Sequence, residues 1–427
     1  MPDIANDLYT LAMSAEAQPL MDAVTKHIAD NVEPITEEFQ ALEKEKTDRW
    51  SWHPRQLELL DGAKQKAKDS GLWNFFLPDS DIGDGLTNLD YAYIASELGK
   101  YPLASETLNC SAPDTGNMEV LERVGTPEQK EQWLKPLLNG DIRSAYAMTE
   151  PNLPSSDAKN ISTSAVLDGD DWVINGQKIW TSGAQHSDFG ILITRTDPEV
   201  PKHRGLTMFF LDMKSAGIDI RPIKQANGDS GFNEVYFDNV RIPDAQRLGN
   251  VGQGWQVALT TLMNERASIG GGGGGVNFDS VFELAQSVDF GERPAIEDPS
   301  VRRKLADWYV QEAGLKFTGY RSMTALSKGE IPGPENSIGK LVGAPKQQDM
   351  ASFALDLLEQ AGVIWDEKLS ERAGLFQATY MASPGLRIAG GTDEIMANII
   401  AERVLGMPQD IRVDKGIPFS EVPTASS

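Results

Sequence analysis

At 427 residues the chain has room for about three domains of roughly 150 residues each. It carries 39 basic against 63 acidic residues, a formal net charge of −24. That balance argues against nucleic acid and anionic membranes as partners, because both are gripped by clustered Lys and Arg. Cys110 is the only cysteine, and the four histidines (His27, His53, His186 and His203) lack the spacing of a helical zinc site. Neither an intrachain disulfide nor a metal centre is therefore expected.

In chain order, residues 1–145 read as helical. Segments 21–32, 56–72, 89–98 and 127–138 carry apolar residues at three- and four-residue spacing. Thr126-Pro127-Glu128-Gln129 has the composition of a helix start, with Thr at the cap and Pro in the first turn. The pattern changes near residue 145. Short alternating or β-branched runs at 171–174, 190–194, 206–211, 218–220 and 234–237 predict a β-sandwich or barrel over 146–250. No strand–helix–strand alternation supports a Rossmann domain. Long helical segments return over 251–408 and predict a four-helix bundle. Residues 409–427 read as a Pro- and Ser-rich arm or a disordered tail. The fold class expected is therefore α+β multidomain. The N-terminus, Met1-Pro2-Asp3-Ile4, has neither a basic n-region nor a transit-peptide composition. The apolar runs are too short to cross a bilayer. A cytoplasmic protein is expected.

Two clusters carry candidate chemistry. One is Tyr146-Ala147-Met148-Thr149-Glu150-Pro151, followed by Ser155-Ser156-Asp157; the other is Asn175-Gly176-Gln177-Lys178-Ile179-Trp180-Thr181-Ser182. Later come Gly249-Asn250-Val251-Gly252-Gln253-Gly254-Trp255, then Gly391-Thr392-Asp393-Glu394-Ile395 and Asn398-Ile399-Ile400-Ala401. Together, in this order, they resemble the signatures of the acyl-CoA dehydrogenase family over about residues 15–408. The stretch Asn109–Asn117 further resembles family members ten and eleven.

The resemblance implies FAD as cofactor. An isoalloxazine ring needs a flat apolar wall and a few polar groups at its edges. By resemblance Trp180 lies against the ring, Ser182 bonds near N5 in place of the usual Thr, and Thr149 contacts the pyrimidine edge. Tyr146, Met148, Ser156, Thr392 and Glu394 complete the expected cofactor contacts. Ser156, Arg266, Ala389 and Gly391 are the expected substrate contacts.

The family's usual base is a Glu directly before the Gly-Thr of the C-terminal signature. Here Gly390 stands there, and Ala389 replaces the frequent Tyr. Isovaleryl-CoA dehydrogenase similarly places its Glu on an earlier helix before an Arg, and this chain has Glu265-Arg266 at that location. Helix geometry supports the choice independently. At about 100° per residue, Glu265 falls about 20° from Ala258, 40° from Ile269 and 60° from Leu262, on the apolar stripe. A carboxylate facing an apolar pocket has a raised pKa suited to proton abstraction. The expected reaction is conversion of an acyl-CoA to its trans-2-enoyl-CoA. Glu265 takes the α-proton, and the Gly390 N–H and a flavin ribityl hydroxyl steady the thioester oxygen. An electron-transfer flavoprotein then receives the electrons, and a homo-oligomer (dimer or tetramer) is expected. Ala389, Gly390 and the run Gly270–Gly275 are expected to leave room for a bulky acyl group. Ser287 stands where the family usually has an Arg for the flavin pyrophosphate, and the usual Gln-x-x-Gly-Gly is indistinct around 359–362. Two other readings stay open: a flavin oxidase or monooxygenase on the same fold, and a non-catalytic subunit of a heteromeric dehydrogenase.

Overall fold

The computed structural model describes residues 12–45, 50–77, 84–153, 155–259, 275–328, 333–366 and 368–423. These fall into two compact units. One comprises Met1–Gln18, Thr87–Lys100 and Ile269–Gln409; the other comprises Pro19–Leu86, Tyr101–Ser268 and Asp410–Ser427.

Side-chain caps begin three of the described N-terminal helices, at His53, Thr87 and Thr126. Helix α1 (Gln18–His27) runs through a π-helical turn (Ile28–Val32) into α2 (Glu33–Glu45), burying Val24, Ile28, Val32 and Phe39. Helix α3 (Pro54–Asp69) starts at His53, whose Nδ1 accepts from the Arg55 N–H at 3.1 Å while Gln56 Oε1 accepts from the His53 N–H. The Thr126 start behaves as its composition predicts. Thr126 Oγ1 accepts from the Gln129 N–H at 3.2 Å, and Gln129 Oε1 accepts from the Thr126 N–H at 3.0 Å. That helix continues through a second π turn (Lys130–Leu134) to Asn139 and ends at Gly140, in the left-handed conformation at φ 70°.

The middle region forms one mixed sheet of eight strands: β1 (Ser144–Ala147), β2 (Ser164–Asp168), β3 (Asp171–Ser182), β4 (Phe189–Arg195), β5 (Leu206–Asp212), β6 (Ile218–Pro222), β7 (Phe232–Pro243) and β8 (Arg247–Leu248). Two halves are apparent. Strands β6, β7, β3 and β2 pair antiparallel in that order; β4, β5 and β8 do likewise, with β1 parallel to β4. The halves meet at a single residue pair, Ser164 with Arg195. Alternate residues from both halves, among them Trp172, Ile174, Leu192, Phe209, Leu211, Val235 and Ile242, enclose one buried apolar core.

In the other unit, helices α4 (Asn88–Leu98), α5 (Phe278–Ser287), α6 (Pro299–Ser327), α7 (Ser337–Leu357), α8 (Leu375–Leu386) and α9 (Asp393–Ile399) are the main elements. The four helices α5 to α8 share a core that includes Val281, Leu284, Trp308, Met350, Ala354 and Phe376. Residues 410–423 are packed on the β-containing unit: Phe419 N–H donates to Val200 O, Arg195 stacks over the Phe419 ring at 3.6 Å, and Lys202 pairs with Asp414. A few anchors hold a segment that is otherwise polar and turn-rich.

Candidate active site

Strand β3 carries the second motif, and its register with β7 breaks between Lys178 and Thr181. Lys178 pairs with Val235 and Thr181 with Asn233, so Ile179 and Trp180 together oppose one residue. This is a β-bulge, a device that re-aims a side chain. Trp180 sits in it with φ 61°, a conformation costing a bulky residue about 1–3 kcal/mol. Trp180 is 51% exposed, and its ring meets the edge of Phe232 at 5.9 Å.

Such strain persists only where the surroundings over-determine it, and here they do. The Ile179 N–H donates to Thr149 O at 2.9 Å, tying the first motif to the second. Lys178, fully buried, donates to Met148 O and Glu150 Oε1, each at 2.9 Å. Glu150 also accepts from the Ser162 N–H and hydroxyl and from the Thr163 N–H. Burial raises the Glu150 pKa, but Lys178 and these donors outweigh it and hold the carboxyl at about 2. Burial lowers Lys178 to about 8 against the attraction of Glu150. Beyond the bulge, Asn233 Nδ2 donates to Thr181 O at 3.1 Å and Trp50 Nε1 donates to Asn233 Oδ1 at 2.7 Å.

The structure thus gathers Tyr146, Met148, Thr149, Trp180 and Ser182 on neighbouring segments. Tyr146, on β1, donates its hydroxyl to Met148 Sδ at 3.8 Å, and Ser182 is exposed at the end of β3. Ser156 lies in a short 3₁₀ segment (Ser155–Asn160). Its side chain is outside the described residues, as are Glu265 and Arg266 and most of the glycine run; Gly275 is described. Sequence reading missed Glu150, Lys178 and Asn233. The first two stand inside the quoted motifs, but nothing in a string of letters says that they pair.

The C-terminal signature forms a turn between α8 and α9 in the other unit. Gly390 and Gly391 have φ 65° and 106°, and Arg387 closes the turn through Asp393 at 2.7 Å. Thr392 caps α9, its Oγ1 accepting from the Ile395 N–H at 3.2 Å. Glu394 is exposed, and its own backbone N–H and the Thr392 hydroxyl hold its carboxyl below the usual range. Lys340 donates to both Ala389 O and Gly391 O. Ser287 ends α5 with its hydroxyl donating to Leu284 O at 2.9 Å, and beyond it Asp289-Phe290 pair antiparallel with Arg293-Pro294 across Gly291-Glu292. The motif entering the last domain has a backbone reason. A Cβ on Gly254 would lie 2.8 Å from Thr207 Cα, and the Gly252 N–H donates to Thr207 Oγ1 at 3.0 Å. Among the described residues there is no group of three or more His, Cys, Asp or Glu able to hold a metal, and no helix long and apolar enough to cross a membrane.

Three family models match in chain order. The acyl-CoA dehydrogenase N-terminal domain covers residues 14–141, the middle domain 145–240 and the C-terminal domain 252–405. The chain belongs to the acyl-CoA dehydrogenase family. It is 45% identical to FadE2 of Mycobacterium tuberculosis, named a probable acyl-CoA dehydrogenase, over 81% of this chain and 86% of that protein. A solved structure described as an acyl-CoA dehydrogenase from Mycobacterium abscessus matches with a TM-score of 0.79 at 32% identity, covering 92% of this chain and 99% of that one. The Tcur3481-Tcur3483 steroid ACAD matches with a TM-score of 0.75 at 26% identity, covering 94% and 100%. The chain spans 24% and 51% of the length of acyl-CoA dehydrogenase family members 10 and 11 of Mus musculus.

Acyl-CoA dehydrogenases are FAD-dependent, and FAD is the cofactor of this chain. The residues fit it. A half-exposed indole held in a strained bulge offers a flat wall, and the exposed Ser182 hydroxyl offers a hydrogen-bond donor two residues away.

Proposed function

We propose that the chain is an acyl-CoA dehydrogenase acting on the bond between the α and β carbons of an acyl-CoA thioester and yielding the trans-2-enoyl-CoA. The observation that carries this reading is Trp180: a large aromatic ring kept half exposed at a strained position by buried polar bonds on both sides. A structural role would bury the ring; a ligand wall leaves it open.

In this reading Glu265 removes the α-proton as the β-hydrogen leaves as hydride. Bound FAD supplies the hydride acceptor. The Gly390 N–H donates to the thioester oxygen, where negative charge grows as the α-proton departs. Trp180 walls the flavin ring; Ser182, Thr149, Tyr146, Met148, Ser156, Thr392 and Glu394 hold its edges and chain. Arg266, Ala389 and Gly391 border the acyl-CoA, and the small side chains at 389–391 leave room for a bulky acyl group. We read residues 1–145, 146–250, 251–408 and 409–427 as helical domain, β domain, bundle and tail. A homo-oligomer passing electrons to an electron-transfer flavoprotein, in fatty-acid oxidation in the cytoplasm, completes the proposal. The likeness to the Tcur3481-Tcur3483 steroid ACAD, whose name joins two proteins, favours one second reading: a subunit of a two-protein dehydrogenase.

The test is anaerobic bleaching of the purified flavoprotein by a panel of acyl-CoA thioesters, with Glu265→Gln alongside. The proposal expects bleaching of the wild-type chain alone and a rate reduced by orders of magnitude in the variant. Bleaching of Glu265→Gln at the wild-type rate would remove Glu265 as base. Bleaching only after a second protein is added would favour the two-protein reading.

A further inference from the structure

We infer that Lys340 is a positioning residue that aims the Gly390 N–H. This rests on the reading of that N–H as the donor to the thioester oxygen. Lys340 lies in the first turn of α7 and donates to Ala389 O and Gly391 O, the carbonyls on either side of Gly390. A trans peptide is planar, so the N–H of Gly390 points directly away from the C=O of Ala389. Whatever holds that carbonyl therefore sets the direction of the N–H. The second bond fixes the peptide that follows Gly391, so the turn is gripped at both ends.

The grip answers a physical need. Two consecutive glycines at positive φ have wide conformational freedom, and a donor aimed by such a turn would wander. The neighbouring N–H groups of Ile388 and Ala389 are already committed, both donating to Gly385 O. Electrostatics adds a second argument. A cation in the first turn of a helix faces the positive end of the helix dipole. No acidic residue shares that first turn to compensate. The carbonyls just past the end of α8, where the dipole is negative, supply compensation. A charge-assisted bond to Ala389 O also polarises the same amide, making the Gly390 N–H a stronger donor.

The experiment compares Lys340→Met and Lys340→Arg with wild type, all flavin-loaded. Two quantities are read: backbone hydrogen exchange of residues 389–391 without substrate, and the split between kcat and KM in acyl-CoA oxidation. The methionine variant should exchange faster across the turn. It should lose roughly tenfold to a hundredfold in kcat, short of or near the loss of one whole oxyanion donor, with KM changed by less than about threefold, since the interaction strengthens in the transition state. Arginine, which can span both carbonyls, should restore most of both quantities. Lys340→Met with wild-type exchange and kcat overturns the inference, as does faster exchange with unchanged kcat. A wild-type flavoprotein that no acyl-CoA bleaches overturns the underlying reading, and this inference with it. That outcome is distinguishable because it appears before any variant is made.

Discussion

Lys178 and Glu150 form a buried ion pair, Nζ to Oε1 at 2.9 Å, beneath the bulge that presents Trp180. The pair joins the two motif segments, which are also linked by the bonds from Lys178 Nζ to Met148 O and from Ile179 N–H to Thr149 O. Breaking a buried pair from one side leaves an uncompensated charge and is far more damaging than replacing both partners. Lys178→Met should lower unfolding free energy by about 3–5 kcal/mol. Equilibrium urea denaturation measures it. The double variant Lys178→Met with Glu150→Leu should recover part of that loss, and a double no better than the single would show that the pair is not the origin.

The same carboxyl, with a second one, contributes to the acid limit of stability. Glu106 is buried, which raises its pKa, but Arg143 and Lys64 outweigh this and hold it at about 2; Glu150 is held at about 2 likewise. Both titrate near 4.5 when unfolded, so each folded pKa is depressed. Their stabilisation is present above about pH 4.5 and is lost as pH falls toward 2. The gap is worth on the order of 3 kcal/mol per group. Glu106→Gln should therefore be destabilised at pH 7 and show a shallower loss of stability between pH 4.5 and 2 than wild type. Parallel curves would remove Glu106 from the acid limb.

Trp180 separates function from stability in the opposite sense. Its ring is half exposed, so removing it gives up little burial, and glycine tolerates the φ of 61° that tryptophan does not. Trp180→Gly should leave the flavin-free protein within about 1 kcal/mol of wild type, while its retained FAD falls steeply. Wild-type FAD affinity in this variant, by fluorescence titration, would end the reading of Trp180 as the flavin wall.

How much of this could be read beforehand follows from range. Helices at 54–69, 88–98 and 127–139 announced themselves through local spacing and caps, because each signal lies within a few residues. Strand β1 did not: Ser-Ala-Tyr-Ala has no alternation, and its pairing with β4 joins residues more than forty positions apart. The site divides similarly. Trp180, Ser182 and Thr149 were legible as letters in motifs, but the bulge that strains Trp180 depends on a count of residues in β7. Lys340 carried no local signal, since its partners are backbone carbonyls about fifty residues away.

The tail offers a test of docking against disorder. Phe419 under Arg195, the Phe419 N–H to Val200 O, and the Lys202 to Asp414 pair all vanish on truncation after Gln409. Lys202 keeps Asp157 at 2.7 Å, so the loss is partial. Truncation should cost about 1–3 kcal/mol, from one cation–π contact, one ion pair, two backbone bonds (Phe419 N–H to Val200 O and Ser420 N–H to Pro198 O) and modest burial. Hydrogen exchange should rise over residues 196–205 and not in the helical bundle. Unchanged exchange there would mean that the tail does not support the β-containing unit.

Gly391 allows two causes of strain to be told apart. A Cβ there would fall 2.3 Å from Met396 Cε, but that atom ends a flexible side chain and can move. The φ of 106° cannot be relieved so easily, since alanine rarely adopts it. Gly391→Ala should therefore destabilise by about 1–3 kcal/mol, and by nearly the same amount in a Met396→Ala background. A double-mutant cycle in urea measures the coupling. Should Met396→Ala abolish the penalty, the contact rather than the backbone would be the reason that glycine occupies this position.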